Sequence, residues 1–228
     1  MADMGLFRNA VADWAAGSAD GPAAEPAAHP AAHPAAHPAS ELASELGLAS
    51  VVLVEGPSDL AAVETLAARL DRDLPAEGVC VLSMGGAMNV GRYARLLGPP
   101  GLGLRLTGLC DERERPYFDR GFQRAGAPRH EVFVCVEDLE EEFIRALGVP
   151  RVEGVIEAEG DLVPWQTFVR QPAQRGRDPH HRMRRFLGTK KGRKIRYGHL
   201  LAQALDLALL PAPLDALLTA LDPARAGR

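Results

Sequence analysis

The chain has 228 residues, 46% of them apolar and 25% charged, and a formal net charge of −4, which suits one substantial domain with extensions. No run approaches the about 18 apolar residues a membrane span needs, and the N-terminus lacks the basic start and apolar core of a secretion signal, so a soluble, cytoplasmic protein is expected. Cys80, Cys110 and Cys135 are odd in number and lack paired zinc spacing, which points to reduced thiols of the core.

In chain order, Leu6, Phe7, Ala10, Val11 and Trp14 fall on one side of a short helix expected to dock on the domain or a partner. From Pro22 to Pro38 the sequence cycles through Ala-Ala-His-Pro, with little capacity to form a core, so residues 1–48 read as a low-complexity tail. His29, His33 and His37 are candidate transition-metal ligands, although proline holds such a backbone extended.

Strand and helix signals then alternate. Val51–Val54 is an apolar run ending on Glu55, Gly56 and Pro57, followed by a helix to about Leu70 on which Leu60, Val63, Ala67 and Leu70 recur at helical spacing. Strand Val79–Ser83 leads through Gly85-Gly86 to a helix near Asn89. Strand Leu104–Leu109 precedes a helix around Arg115–Ala125, and strand Val132–Val136 precedes one over Asp138–Leu147, closed by Gly148 and Pro150. This order predicts an α/β fold over residues 49–150, a Rossmann-like doubly wound parallel sheet of about four strands.

Such a sheet gathers acids on its carboxyl edge. Glu55 follows the first strand, Asp59 starts the first helix, Asp111 ends the third strand, and Glu137, Asp138 and Glu140 follow the fourth, where open α/β sheets bind ligands. Acids also favour helix N-termini through the dipole, which accounts for any one of them without a ligand. As a set they repel unless a cation intervenes, and oxygen-only donors select Mg2+ or Mn2+ over zinc.

Residues 151–228 read as a basic, mainly helical extension. Between Arg170 and Arg196 Asp178 stands alone as an acid among many bases, and Arg184, Arg185, Lys190, Lys191, Arg193 and Arg196 are the candidate nucleic-acid contacts. A solvated basic face is the competing reading. Leu200, Leu201, Ala204, Leu205 and Leu207–Leu210 read as a helix on the core, and Leu214–Leu221 as another.

These segments together resemble the TOPRIM domain of topoisomerases, primases and certain nucleases, over roughly residues 50–200. Asp138-Leu139-Glu140 and the basic stretch 192–194 look most like the nuclease branch called OLD, for overcoming lysogenization defect. The resemblance implies that Glu55 is a metal ligand or general acid/base, that Asp59 supports a second metal, that Asp111 is the central ligand and that Glu140 completes the site. It also implies that Lys194, with Lys191 as alternative, neutralises charge at the scissile phosphate. The family's second aspartate is replaced by Arg113, flanked by Glu112 and Glu114. No ATP-binding loop is present: Gly188-Thr189-Lys190-Lys191-Gly192-Arg193-Lys194 has neither its spacing nor its hydroxyl. The expectation is a Mg2+- or Mn2+-dependent DNA endonuclease or nickase, working as a homo-oligomer or with a separate ATPase. TOPRIM nucleotidyl transfer, ribonuclease activity and a non-catalytic nucleic-acid-binding module are the alternatives.

Overall fold

A computed structural model describes residues 3–17, 37–127, 131–189 and 191–222. His29 and His33, read as candidate metal ligands, lie outside the described residues.

The chain enters through α1 (Met4–Gly17) and α2 (Pro38–Glu45), then alternates β1 (Ser50–Val54), α3 (Pro57–Arg69), β2 (Val79–Ser83), a 3-10 turn (Ala87–Asn89), α4 (Val90–Leu97), β3 (Arg105–Asp111), α5 (Arg115–Arg124) and β4 (Glu131–Cys135). It closes with α6 (Leu139–Leu147), α7 (Val149–Ala158), α8 (Leu162–Val169), α9 (Pro179–Leu187), α10 (Lys191–Ala204) and α11 (Ala212–Ala220), with short 3-10 turns at Pro172–Gln174 and Leu207–Leu209. The four strands form one sheet in the order β2-β1-β3-β4. Central β1 runs parallel to both neighbours, with Val54 opposite Ser83 and Leu109. The fold is α/β, as expected.

Contacts gather into two compact units. One draws on Met1–Gly56, Asp73–Leu109 and Glu114–Val132, the other on Pro57–Arg72, Cys110–Arg113 and Phe133–Arg228.

In the first unit Val51, Val52, Leu53 and Val54 are fully buried, as an apolar run in a parallel sheet requires. Helix α1 buries Phe7, Val11 and Ala15, one residue per turn, while Leu6 is exposed; the apolar stripe is thus rotated from the one read off Leu6 and Ala10. Arg8 Nε donates to the Val81 carbonyl at 2.8 Å, and Arg92 Nη1 donates to that of Ala15 at 3.1 Å. Helix α2 was not expected inside the Ala-His-Pro tail. Pro38 opens it, His37 Nδ1 accepts from the Ala39 N–H at 3.2 Å as its N-cap, and the His37 ring stacks on Trp14 with centroids 4.5 Å apart. That imidazole is occupied as a cap, not presented as a metal ligand.

In the second unit the main contact is α3 against α10. A Cβ on Gly198 would stand 2.6 Å from the Ser58 carbonyl oxygen, so only glycine lets the helices approach this closely. Thr65 Oγ1 bonds His199 Nδ1 at 2.7 Å and Arg69 Nη1 donates to the Ala202 carbonyl at 2.8 Å. Arg72 caps the end of α11 through the carbonyls of Leu218 and Leu221. Trp165, Phe168 and Phe186 cluster with centroids 5.2–6.2 Å apart. The segment Leu207–Leu210 does not continue α10: Asp206 caps a 3-10 turn there, and Leu209 is exposed.

Candidate active site

The candidate site lies in the second unit, where Glu140, Asp59 and Asp111 all act electrostatically on Lys194. Asp59 lies in the first turn of α3 and Asp111 is the last residue of β3. The Glu112 N–H donates to the Cys135 carbonyl at 3.0 Å, which ties the end of β3 to the end of β4, where the chain turns toward α6.

That turn sorts the acids. Glu137 adopts φ 68°, a left-handed backbone that is uncommon without glycine. Asp138 is the N-cap of α6, its Oδ1 accepting from the Glu141 N–H at 2.9 Å. Glu142 Oε1 accepts from the Val136 N–H at 2.8 Å and pairs with Arg145 at 3.0 Å, and Glu141 Oε1 meets His180 Nδ1 at 3.2 Å. Glu140 alone of this run turns to Lys194, whose Nζ lies 3.3 Å from Glu140 Oε1.

Glu140 is 6% exposed. Burial pushes its carboxyl up to about 7, with Asp138 and Asp59 adding to the shift and Lys194 opposing it. For Lys194, burial disfavours the ammonium, but Glu140, Asp59 and Asp111 more than offset it and hold its pKa above the ordinary lysine value. A lysine so placed stays charged at neutral pH, beside a carboxyl that can gain or lose a proton there. Lys194 precedes Gly198 by four residues, so both share a face of α10, and the close approach of Gly198 to Ser58 brings that face to Asp59.

Glu55 follows β1 in the first unit, half-buried, its carbonyl accepting from the Gly86 N–H at 2.8 Å. Arg113, in place of the second aspartate, is exposed.

The basic residues divide. Arg184 holds Asp138 Oδ2 through Nε at 2.5 Å and Glu137 through Nη1. Arg196 clasps Glu159, donating from Nε at 2.8 Å, and Arg193 lies 3.5 Å from Asp161 with its guanidinium 4.1 Å above the Phe186 ring. Three members of the expected strip therefore neutralise acids of the same unit. Arg185 is exposed. Lys190 and the side chain of Lys191 lie outside the described residues.

Among the described residues no three His, Cys, Asp or Glu side chains are gathered closely enough to hold an ion as they stand. A magnesium-class ion is commonly bound by one or two carboxylates, with water and phosphate oxygens completing its shell. Asp59 and Asp111, oxygen donors that both act on Lys194, fit that requirement.

A family model described as overcoming lysogenization defect protein-like, TOPRIM domain, matches residues 49–112. Among solved structures, the C-terminal region of the Burkholderia pseudomallei OLD protein is similar at 21% identity and TM-score 0.54, covering 78% of this chain and 98% of that one. The C-terminal region of the Xanthomonas campestris pv. campestris OLD protein is similar at 25% identity and TM-score 0.54, covering 78% and 97%. A second structure of that region gives 26% identity, TM-score 0.53, and coverage of 78% and 96%. No curated protein matches the chain, and among the described residues no helix is long and apolar enough to cross a membrane. Sheet order, an aspartate closing β3 and the family match over the same strands agree: this chain carries a TOPRIM domain of the OLD type.

Proposed function

We propose that the chain is a metal-dependent nuclease that hydrolyses DNA phosphodiester bonds as an endonuclease or nickase. The observation that carries this reading is the pairing of Lys194 with buried Glu140 at 3.3 Å, with Asp59 and Asp111 acting on the same ammonium.

In the reaction a water oxygen bonds to phosphorus, one phosphorus–oxygen ester bond breaks, and the departing oxygen takes up a proton. A bound Mg2+ or Mn2+ supplies a lowered pKa for water and charge stabilisation at the phosphoryl oxygens. Asp59 and Asp111 are the residues that would hold it, with Glu140 contributing by family likeness. Lys194 keeps its proton and presents fixed positive charge where negative charge develops. Glu140 orients that ammonium and, with its carboxyl near 7, can exchange a proton at neutral pH. The OLD likeness supports a separate ATPase or a second copy as partner.

The test is incubation of the purified chain with supercoiled plasmid in EDTA, Mg2+ or Mn2+, alongside Asp111→Ala and Lys194→Ala. Nicking or linearisation by wild type only, and only with metal, supports the nuclease reading. Cleavage that persists in EDTA or in Asp111→Ala sinks it, as does intact plasmid under every condition.

A further inference from the structure

A second cationic feature lies in the first unit, outside the C-terminal strip. Met88, Asn89, Gly91, Arg92, Arg95 and Arg124 line a hollow of about 240 Å³. Three of the six are arginines, and none is an acid.

The helix crossing that builds it is tight. A Cβ on Gly121 would stand 2.9 Å from Val90 Cγ1 and 3.0 Å from the Gly91 amide nitrogen, so α4 and α5 meet nearly backbone to backbone. Arg95 lies four residues beyond Gly91 and Arg124 three beyond Gly121, which carries their side chains from the crossing to the same hollow. Arg92 is anchored by its bond to the Ala15 carbonyl. Arg95 and Arg124 are exposed and make no ion pair with another described residue. Like charges collected without a carboxylate repel, and an anion relieves that repulsion.

We propose that this α4–α5 hollow binds backbone phosphates of a nucleic-acid strand, through Arg95 and Arg124 with Arg92 behind them. The inference rests on the nuclease reading and adds a contact surface that the sequence did not single out. Each guanidinium is a fork matched to phosphate oxygens. The hollow is smaller than the about 300–1,000 Å³ of small-molecule pockets and two of its arginines are exposed, which suits a passing strand better than an enclosed ligand. Met88, 82% exposed at the same place, adds a polarizable surface for sugar or base. By contrast, Arg184, Arg193 and Arg196 already hold acids.

The experiment is fluorescence anisotropy of the whole chain with a short labelled duplex across a salt series in EDTA, comparing wild type, Arg95→Gln, Arg124→Gln and the double variant. The expected result is that the slope of log affinity against log salt flattens by about one for each arginine removed, and that the double variant binds roughly tenfold or more weakly at fixed salt. Both side chains are exposed, and unchanged thermal melting excludes a folding cause. Wild-type binding that the variants reproduce overturns the hollow and leaves the nuclease reading standing. No DNA binding by wild type in EDTA overturns the hollow alone, and the plasmid assay in Mg2+ or Mn2+ then decides the nuclease reading. Binding of inorganic phosphate or polyglutamate to wild type and not to the double variant, with duplex affinity equal in the two, assigns the hollow to a small anion or an acidic protein segment and overturns the strand.

Discussion

Gly198 and Ser58 are in backbone contact: a Cβ at 198 would lie 2.6 Å from the Ser58 carbonyl oxygen and 3.2 Å from its Cα. The obstructing atoms belong to the main chain of α3, so no side chain can swing aside. Gly198→Ala must push α10 away from α3, at a cost of about 1–3 kcal/mol for overpacking, and it carries Lys194 away from Asp59. Gly192, in the same helix, has nothing within 4 Å of a built Cβ, so Gly192→Ala should be neutral or stabilising by about 0.5–1 kcal/mol. Urea denaturation of both variants beside plasmid cleavage checks this; equal stability of the two would dissolve the constraint.

Arg184 and Arg185 are neighbours with opposite surroundings. The Arg184 side chain is 31% exposed and grips Asp138 and Glu137 at the start of α6, whereas Arg185 is exposed. Arg184→Ala should lower stability by about 1 kcal/mol, allowing for solvent screening of a part-exposed pair, and should leave duplex affinity nearly unchanged. Arg185→Ala should leave stability within about 0.5 kcal/mol and weaken binding. Melting curves and anisotropy on both variants decide it, and the reverse pattern would return Arg184 to the nucleic-acid surface.

What was legible in the sequence was local. Val51–Val54 announces a buried strand because a short run rich in β-branched residues is bounded at once by Gly56 and Pro57, and Pro57 with Asp59 marks the start of α3 within one turn. Asp111 at the end of β3 follows from the same patterning. Helix α2 was hidden because its cap is an imidazole, His37, inside a proline-rich repeat, while the usual caps are short hydroxyl, amide or carboxylate side chains. Helices α7 and α8 carry Pro150, Gly154 and Pro164 within their spans, and α9 is mostly polar and basic, burying only Met183, Phe186 and Leu187, so none shows a clear apolar period. The pairing of Arg184 with Asp138 and Glu137 joins residues 46 and 47 positions apart, which no local pattern encodes. Glu140 could be preferred over its acidic neighbours only by family likeness, because the distinction rests on Asp138, Glu141 and Glu142 being occupied at the start of α6.

The three thiols should be inert in the folded protein. Cys80, Cys110 and Cys135 are all buried and none is in a disulfide. Burial raises the Cys135 thiol pKa far above the ordinary range, and Glu142, Asp111, Asp59 and Cys110 raise it further, so thiolate is scarce there. A thiol-reactive chromogenic reagent should label none of the three natively and all of them in denaturant. Fast native labelling of Cys110 or Cys135 would show that the ends of β3 and β4 open to solvent.

Glu140 also sets a pH dependence. Its folded carboxyl lies near 7, raised chiefly by burial, so between about pH 4.5 and about pH 7 the folded protein keeps a proton that the unfolded chain has released. The folded state is therefore favoured most below the ordinary carboxylate range, and that advantage is lost as pH rises through about 7. The charge on Lys194, held above its ordinary pKa, does not change over this interval. Glu140→Gln removes the titration, so the stability of the variant relative to wild type should grow by on the order of 2–3 kcal/mol between about pH 4.5 and about pH 8. Urea unfolding of both proteins in EDTA across that range measures the difference directly. Parallel profiles would mean that Glu140 is ionised at its ordinary pKa in the folded chain, and the Lys194 ammonium would then face a fully charged carboxylate throughout.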